Sequence, residues 1–461
     1  TGKDNTLFGA ETGDAITSGE LNTALGRLAL SSDTQGSRAT AVGRGALQTQ
    51  NFTTAVANYN TAVGYDAGAS VTTGQQNTIV GGLAGDALTV GQNNVAMGMA
   101  ALSSDVGGSR TVAIGRGALE AQNQGSSDTN AHNTAIGYAA GASVTTGKHV
   151  TIVGALAGDA LTSTEYTAVF GSEALGNETA GTLSTAIGYA AAFSQNVTSG
   201  ATGNTNLGAQ AGYYNVTGTN NTRVGYNAGL GASGQSNSGN TLVGATTGDA
   251  ITTGDQNTAI GYLALTTATT GTRNFAGGVG ALNDLTDGAD NVGVGHTAGY
   301  SNTAGDYNIA LGSGSLYSNT AGSRSVAIGF NALYNQNPSG AVNMHNTALG
   351  YAAGSAHTTG TDNTVIGAFA GDGIQTGTEN TAVGKSALSA TCGDDNTAIG
   401  KDCLEITTGS NNTAVGMSAG KSVTSGDSNN FLGKDAGDTT TTGSRNICIG
   451  QNANATAGDV N

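Results

Sequence analysis

Four of the five long gaps in this chain begin with the same pair of amides: Gln50-Asn51, Gln122-Asn123, Gln195-Asn196 and Gln336-Asn337. They fall in segments 48–60, 120–133, 193–204 and 334–346; a fifth, 230–240, lacks the pair. Insertions of this kind protrude at one edge of a repeat stack and often form its binding face. The eight residues are therefore candidate contacts for a cell-surface glycan or receptor. Tolerated duplication, or bracing of a neighbouring chain, is the alternative role.

Other residues capable of chemistry do not assemble into a site. Asp14, Asp86, Asp159, Asp249, Asp372 and Asp438 share one repeat position. Their rungs lie three or more apart, roughly 14 Å at strand spacing. Calcium ligands must come within ~2.3–2.6 Å of the ion, so capping of Asx-turns is the expected role. His132 and His345 each precede an Asn and read as turn residues. Cys392, Cys403 and Cys448 show no metal or disulfide spacing. No nucleophile elbow, phosphate-binding loop or H-E-x-x-H is present. Tyr65, Tyr138, Tyr189, Tyr226, Tyr262 and Tyr351 recur at another position and suit a strand-edge cover or a sugar platform. The expectation is a protein that is not an enzyme, with no cofactor and no metal.

The elements that position these residues follow from a repeat. The decapeptide HNTAIGYAAG at 132–141 returns at 345–354 with only Ile136 exchanged for Leu349. Taking the Gly of each such stretch as position zero gives 26 anchors, from Gly9 to Gly450, and 18 of the 25 spacings are 17 residues. Position −1 is Val, Ile, Leu, Met or Phe in 25 copies, the exception being Gly277. Position −3 is Thr, Val or Ile in 23 copies, and these β-branched types suit a pleated strand. The apolar −1 column is expected to be the buried one. Position −2 is usually Ala but admits Asn206 and Arg223, so it is expected to face outward or a subunit contact. Position +3 is Ala in 22 copies, which implies close backbone approach. Position −4 is Asn in 20 copies and suits a turn or an amide ladder along the stack.

A unit this short cannot bury a core alone. The expected fold is all-β, a parallel β-solenoid (β-roll) of about 26 rungs filling residues 1–461 as one repeat region, taken as a fragment of a longer chain. Position +4 is Gly in 13 copies and Leu in 11, often two of each in turn. GSRATAVGRGAL from residue 36 and GSRTVAIGRGAL from 108 then mark a four-rung cassette, whose duplication explains the twin decapeptides.

Composition agrees with this. There are 77 glycines, one proline and 37% apolar residues, too few for a thick core. A net charge of −16 disfavours nucleic acid, and no apolar run approaches the ~20 residues of a membrane helix.

SVAIG at 325–329, TVAIG at 111–115 and TAIGYAA at 134–140 resemble the head repeats of trimeric autotransporter adhesins. LYSNTAGSRSVAIGFNALYNQN at 316–337 is similar to repeats of phage tail fibres. The resemblance implies a left-handed roll, a homotrimer and an extracellular place on a virion or cell surface. The functional expectation is a structural or adhesive shaft that positions or contributes to host-surface binding. The alternatives are a bacterial trimeric adhesin head and a monomeric ice- or surface-binding solenoid, the latter suggested by Thr at −3 in 17 copies.

Overall fold

The computed structural model describes residues 2–454; residues 1 and 455–461 of the expected repeat region lie outside it. The chain forms two compact units, Thr1–Ser236 and Asn237–Asn461. Each unit is a parallel β-solenoid built on thirteen three-residue strands, from Thr6–Phe8 to Thr222–Val224 in the first and from Thr241–Val243 to Ile447–Ile449 in the second. The described residues contain no helix.

Every three-residue strand covers positions −3 to −1. Successive strands pair in parallel and in register, as in Thr6↔Thr23, Leu7↔Ala24 and Phe8↔Leu25. The register survives the insertions, because Val112, Ala113 and Ile114 pair with Thr134, Ala135 and Ile136 across the longest gap. Each sequence column is therefore a physical column along its unit.

The turn after each strand is set by the anchor glycine. Gly81 has φ +133°, and a Cβ there would stand 2.6 Å from the carbonyl oxygen of Gly98 in the next rung. Both the backbone angle and the close neighbour demand glycine. Left-handed residues follow at +2 and +4, for example Leu28 (φ 62°) and Leu30 (φ 53°). They curl the chain back under the strand.

The core is narrow, and its filling corrects the expectation for the strand faces. Position −2 points inward: Ala41, Ala135, Ala259 and Ala398 are fully buried, and even Arg223 is only 1% exposed. Position −1 points outward: Leu25 is 45% exposed, Ile136 38% and Ile260 47%. The tight turn brings the +3 alanine close beneath the strand, so most rungs admit only a methyl group at −2. The larger apolar side chains are displaced to the opposite face. Arg223 fits because its Nη1 donates to Asn206 Oδ1 of the preceding rung at 3.2 Å, and burial pushes its pKa down to about 9.

Positions +4 and +7 share the remaining core volume. Most rungs with Gly at +4 carry an aliphatic at +7, as in Gly68/Val71, Gly85/Leu88 and Gly371/Ile374; Asn215, Asn302, His357 and Thr440 are the exceptions. Rungs with Leu at +4 often carry a polar +7 residue, as in Leu30/Asp33 and Leu119/Gln122. A Cβ on Gly68 would meet Ile79 Cδ1 at 2.9 Å and Val71 Cγ2 at 3.3 Å, so the exchange conserves volume. Leu282 and Leu285 occupy both places in one rung; Gly293 then replaces the −2 alanine, where a Cβ would stand 2.8 Å from Leu282 Cγ. The cassette is a packing alternation written into sequence.

The −4 asparagines form the amide ladder. Asn77 Oδ1 accepts from the Asn94 backbone N–H at 3.0 Å, while Asn77 Nδ2 donates to the Gly91 carbonyl at 2.9 Å. Burial makes such bonds obligatory, since an orphaned amide costs about 1–3 kcal/mol. The three cysteines are buried thiols outside any disulfide, with Cys403 and Cys448 standing at +3 and −2 in place of alanine. Burial pushes the Cys392 and Cys403 thiols up to about 12. No helix of the described residues is long and apolar enough to cross a membrane.

Candidate functional site

Two features beyond the core present themselves: the insertion rungs and the outward sheet face.

The insertion glutamines do not protrude. Gln50, Gln122, Gln195 and Gln336 occupy position +7 and are buried. In their rungs the −4 residue is Ala39, Thr111, Ser184 or Ser325 instead of Asn. Each glutamine takes over the missing ladder amide. Gln50 Oε1 accepts from Asn60 Nδ2 at 2.8 Å, Gln122 Oε1 from Asn133 at 2.8 Å, Gln195 Oε1 from Asn204 at 2.9 Å and Gln336 Oε1 from Asn346 at 2.9 Å. Their Nε2 groups donate back one rung, to Asp33 at 2.6 Å, Asp105 at 2.7 Å, Glu178 at 2.9 Å and Asn319 at 3.4 Å.

The four acceptors in the preceding rungs are structural residues that the sequence reading missed. Asp105 Oδ1 accepts from the backbone N–H groups of Gly108 and Gln124, both at 3.1 Å, and so ties the start of the insertion to the turn below. Desolvation raises the Asp105 pKa against these bonds. The signal was present in the sequence: an acid or Asn at +7 precedes every +7 Gln by one rung.

The paired asparagines are more accessible. Asn123, Asn196 and Asn337 are exposed and Asn51 is half-buried. Thr34, Thr179 and Thr320 donate to the amide oxygens of Asn51, Asn196 and Asn337 at 3.0, 3.1 and 2.7 Å. Asn123 Oδ1 caps the Gly125 N–H at 3.0 Å. Three insertions return as short strands on the GSR motif, pairing Val56–Ala57 with Gly36–Ser37, Thr129–Asn130 with Gly108–Ser109 and Val342–Asn343 with Gly322–Ser323.

The outward face carries the larger surface. In the first unit its −1 row includes Leu25, Val63, Met97, Ile136, Phe170 and Leu207; in the second, Ile260, Val294, Leu349, Ile399 and Leu432. The −3 row, mostly Thr, lies beside it on the same face. Gly277 is the one gap in the −1 row, and Phe275 at −3 of the same strand fills it: a Cβ on Gly277 would stand 3.3 Å from Phe275 Cε1. The +1 tyrosines are exposed next to this face, with Arg44 and Arg116 placed 5.1 and 5.6 Å from the ring centroids of Tyr65 and Tyr138.

Position −5 is a further outward rank, with left-handed backbone in His132, His149, Tyr166 and His345. The rings of His132, His149 and Tyr166 stack at 5.2 and 5.1 Å. Among the described residues no group of three or more His, Cys, Asp or Glu converges. Five of the +5 aspartates are half-buried turn residues and Asp14 is exposed; desolvation raises the pKa of Asp86, Asp159, Asp249 and Asp372 against bonds from local backbone N–H groups or, at Asp372, from Ser389.

No known protein-family model matches the chain, and no curated protein sequence matches it.

Proposed function

We propose that the chain is a structural, non-enzymatic shaft of an extracellular appendage, a virion fibre or a cell-surface adhesin, and that it works as a homotrimer whose copies meet through the outward sheet face. The carrying observation is the −1 row. A nearly unbroken line of Val, Ile, Leu, Met and Phe runs along each unit in contact with water. Such contiguous apolar surface marks an interaction site. The Phe275–Gly277 exchange adds that the row keeps its volume where a side chain is missing. An outward surface needs even packing only if something packs on it. Three chains satisfy this requirement by closing their rows around a common axis. The repeat resemblance supports the same number. The native mass tests it: light scattering gives about 134 kDa for three chains of 44.8 kDa (3 × 44.8), against 44.8 kDa for a single chain.

The Thr row favours a second reading. Because −3 faces outward, threonines spaced one per rung form a regular hydroxyl and methyl array, the arrangement of a face that binds ice or mineral. The neighbouring −1 side chains vary from Val to Phe, which spoils the flatness such a lattice needs. Thermal hysteresis of the purified chain decides it; a flat freezing–melting gap removes this reading.

A further inference from the structure

We propose that a groove over Gly117, in the first unit, binds one neutral hexose unit of a surface polysaccharide. The groove spans three rungs and measures about 250 Å³. It is lined by a rank of +1 side chains, Met99, Arg116 and Tyr138, by the small +2 residues Ala100, Gly117 and Ala139, and by Glu120. The Arg116 guanidinium lies 5.6 Å from the Tyr138 ring centroid and donates one bond, from Nη1 to the Tyr138 hydroxyl at 3.3 Å. An arginine has five N–H donors, so most remain for a ligand.

Comparison with the other cassettes shows what opens the groove. The equivalent place 72 residues earlier keeps the pair, Arg44 Nη1 donating to Tyr65 OH at 2.8 Å. There the +2 residues are Leu28 and Asp66. Asp66 pairs with Arg44 at 3.4 Å, and its carboxylate occupies the space above Gly45. At Gly314, in the second unit, the Asn331 amide fills the same space. At 100 and 139 the +2 residue is Ala, and a Cβ on Gly117 would meet only Glu120 Oε2, at 3.0 Å.

The chemistry selects the ligand class. Glu120 only accepts hydrogen bonds and Arg116 only donates them, so together they match a pair of hydroxyls, each able to do both. The methyl and thioether groups in the lining suit the C–H face of a pyranose. One cation and one carboxylate leave the groove neutral, and a net charge of −16 repels anionic sugars. The volume lies below the ~300–1,000 Å³ of pockets for drug-sized ligands, which limits the site to one ring.

The proposal rests on the appendage reading, but its test does not depend on how many chains associate. Saturation-transfer NMR is run on the full chain with the methyl glycosides of glucose, galactose and mannose, and with methyl glucuronide. Transfer to at least one neutral hexoside is expected. Ala139→Asp, which copies Asp66 at a left-handed position already suited to it, should abolish the signal. Glu120→Gln should weaken affinity about tenfold. Both variants should keep the wild-type circular dichroism spectrum, which excludes misfolding as the cause. No transfer from any hexoside, preference for the glucuronide, or undiminished transfer in Ala139→Asp would overturn the assignment.

Discussion

Gln122 reaches across an insertion to Asn133: its Oε1 accepts the Asn133 amide at 2.8 Å while its Nε2 donates to Asp105 one rung below at 2.7 Å. A residue with the look of a loop contact is thus a splice in the buried ladder. Gln122→Ala would leave Asn133 Nδ2 with only its Gly147 bond and deprive a buried carboxylate of a donor. Each group left short costs about 1–3 kcal/mol. Amide hydrogen exchange should show loosened protection in the rungs around residues 105–133. Asn123→Ala, at an exposed site, gives up only its cap on the Gly125 N–H and should cost about 0.5–1.5 kcal/mol.

The anchor glycines are the least replaceable residues. Gly81→Ala places a methyl group 2.6 Å from a carbonyl oxygen at φ +133°. Backbone strain alone costs about 1–3 kcal/mol, and the next rung must move as well. Gly340→Ala, where nothing lies within 4 Å and φ is not positive, should be nearly neutral. Chemical denaturation of the pair measures the difference. Solenoid stability is a sum of rung and interface terms, so local proteolysis near residue 81 should report the same lesion.

His357 sets an acid limit. It is buried at +7, and burial pushes its pKa down from the ordinary 6.5 to about 4 against a bond to the Gly354 backbone. The unfolded chain therefore takes up a proton at higher pH than the native chain. Stability from this residue is fully present above pH 6.5 and falls as pH drops toward 4, by on the order of 3 kcal/mol across the window. His357→Leu should flatten unfolding free energy against pH in that range. An unchanged slope would place the acid sensitivity elsewhere.

The sheet face separates folding from association. Ile260 is 47% exposed in the single chain, so Ile260→Asp should leave each roll folded. A charge in the row of a closed trimer would be desolvated and unpaired, at a cost of several kcal/mol. Sedimentation should therefore show the variant dissociating at concentrations where the proposed wild-type trimer persists, with the circular dichroism spectrum unchanged.

The solenoid itself was legible because its signals are local and repeated. The Gly column marked the turn, the −3 to −1 columns marked the strand, and Asn at −4 marked the ladder. The direction of the strand faces was not legible. Apolar Val42 and small Ala41 suggest that the larger side chain is inside, yet Ala41 is fully buried. Hydrophobicity reports that a residue avoids water; it does not say whether its own chain or a partner provides the cover. Arg223 misled for a similar reason, since its burial depends on Asn206 in another rung. The role of the insertion glutamines lay in a correlation between columns −4 and +7, which neither column shows alone.

Met97 gives the most direct test of the central claim, that copies of the chain cover the −1 row. It stands in that row and is 39% exposed in the isolated chain. Peroxide oxidation, followed residue by residue by mass spectrometry, compares the native assembly with the denatured chain. Met97 in the assembly should be oxidised at least about tenfold more slowly than in denaturant. Oxidation of Met97 at nearly the denatured rate would show the row open to water and contradict the trimeric face.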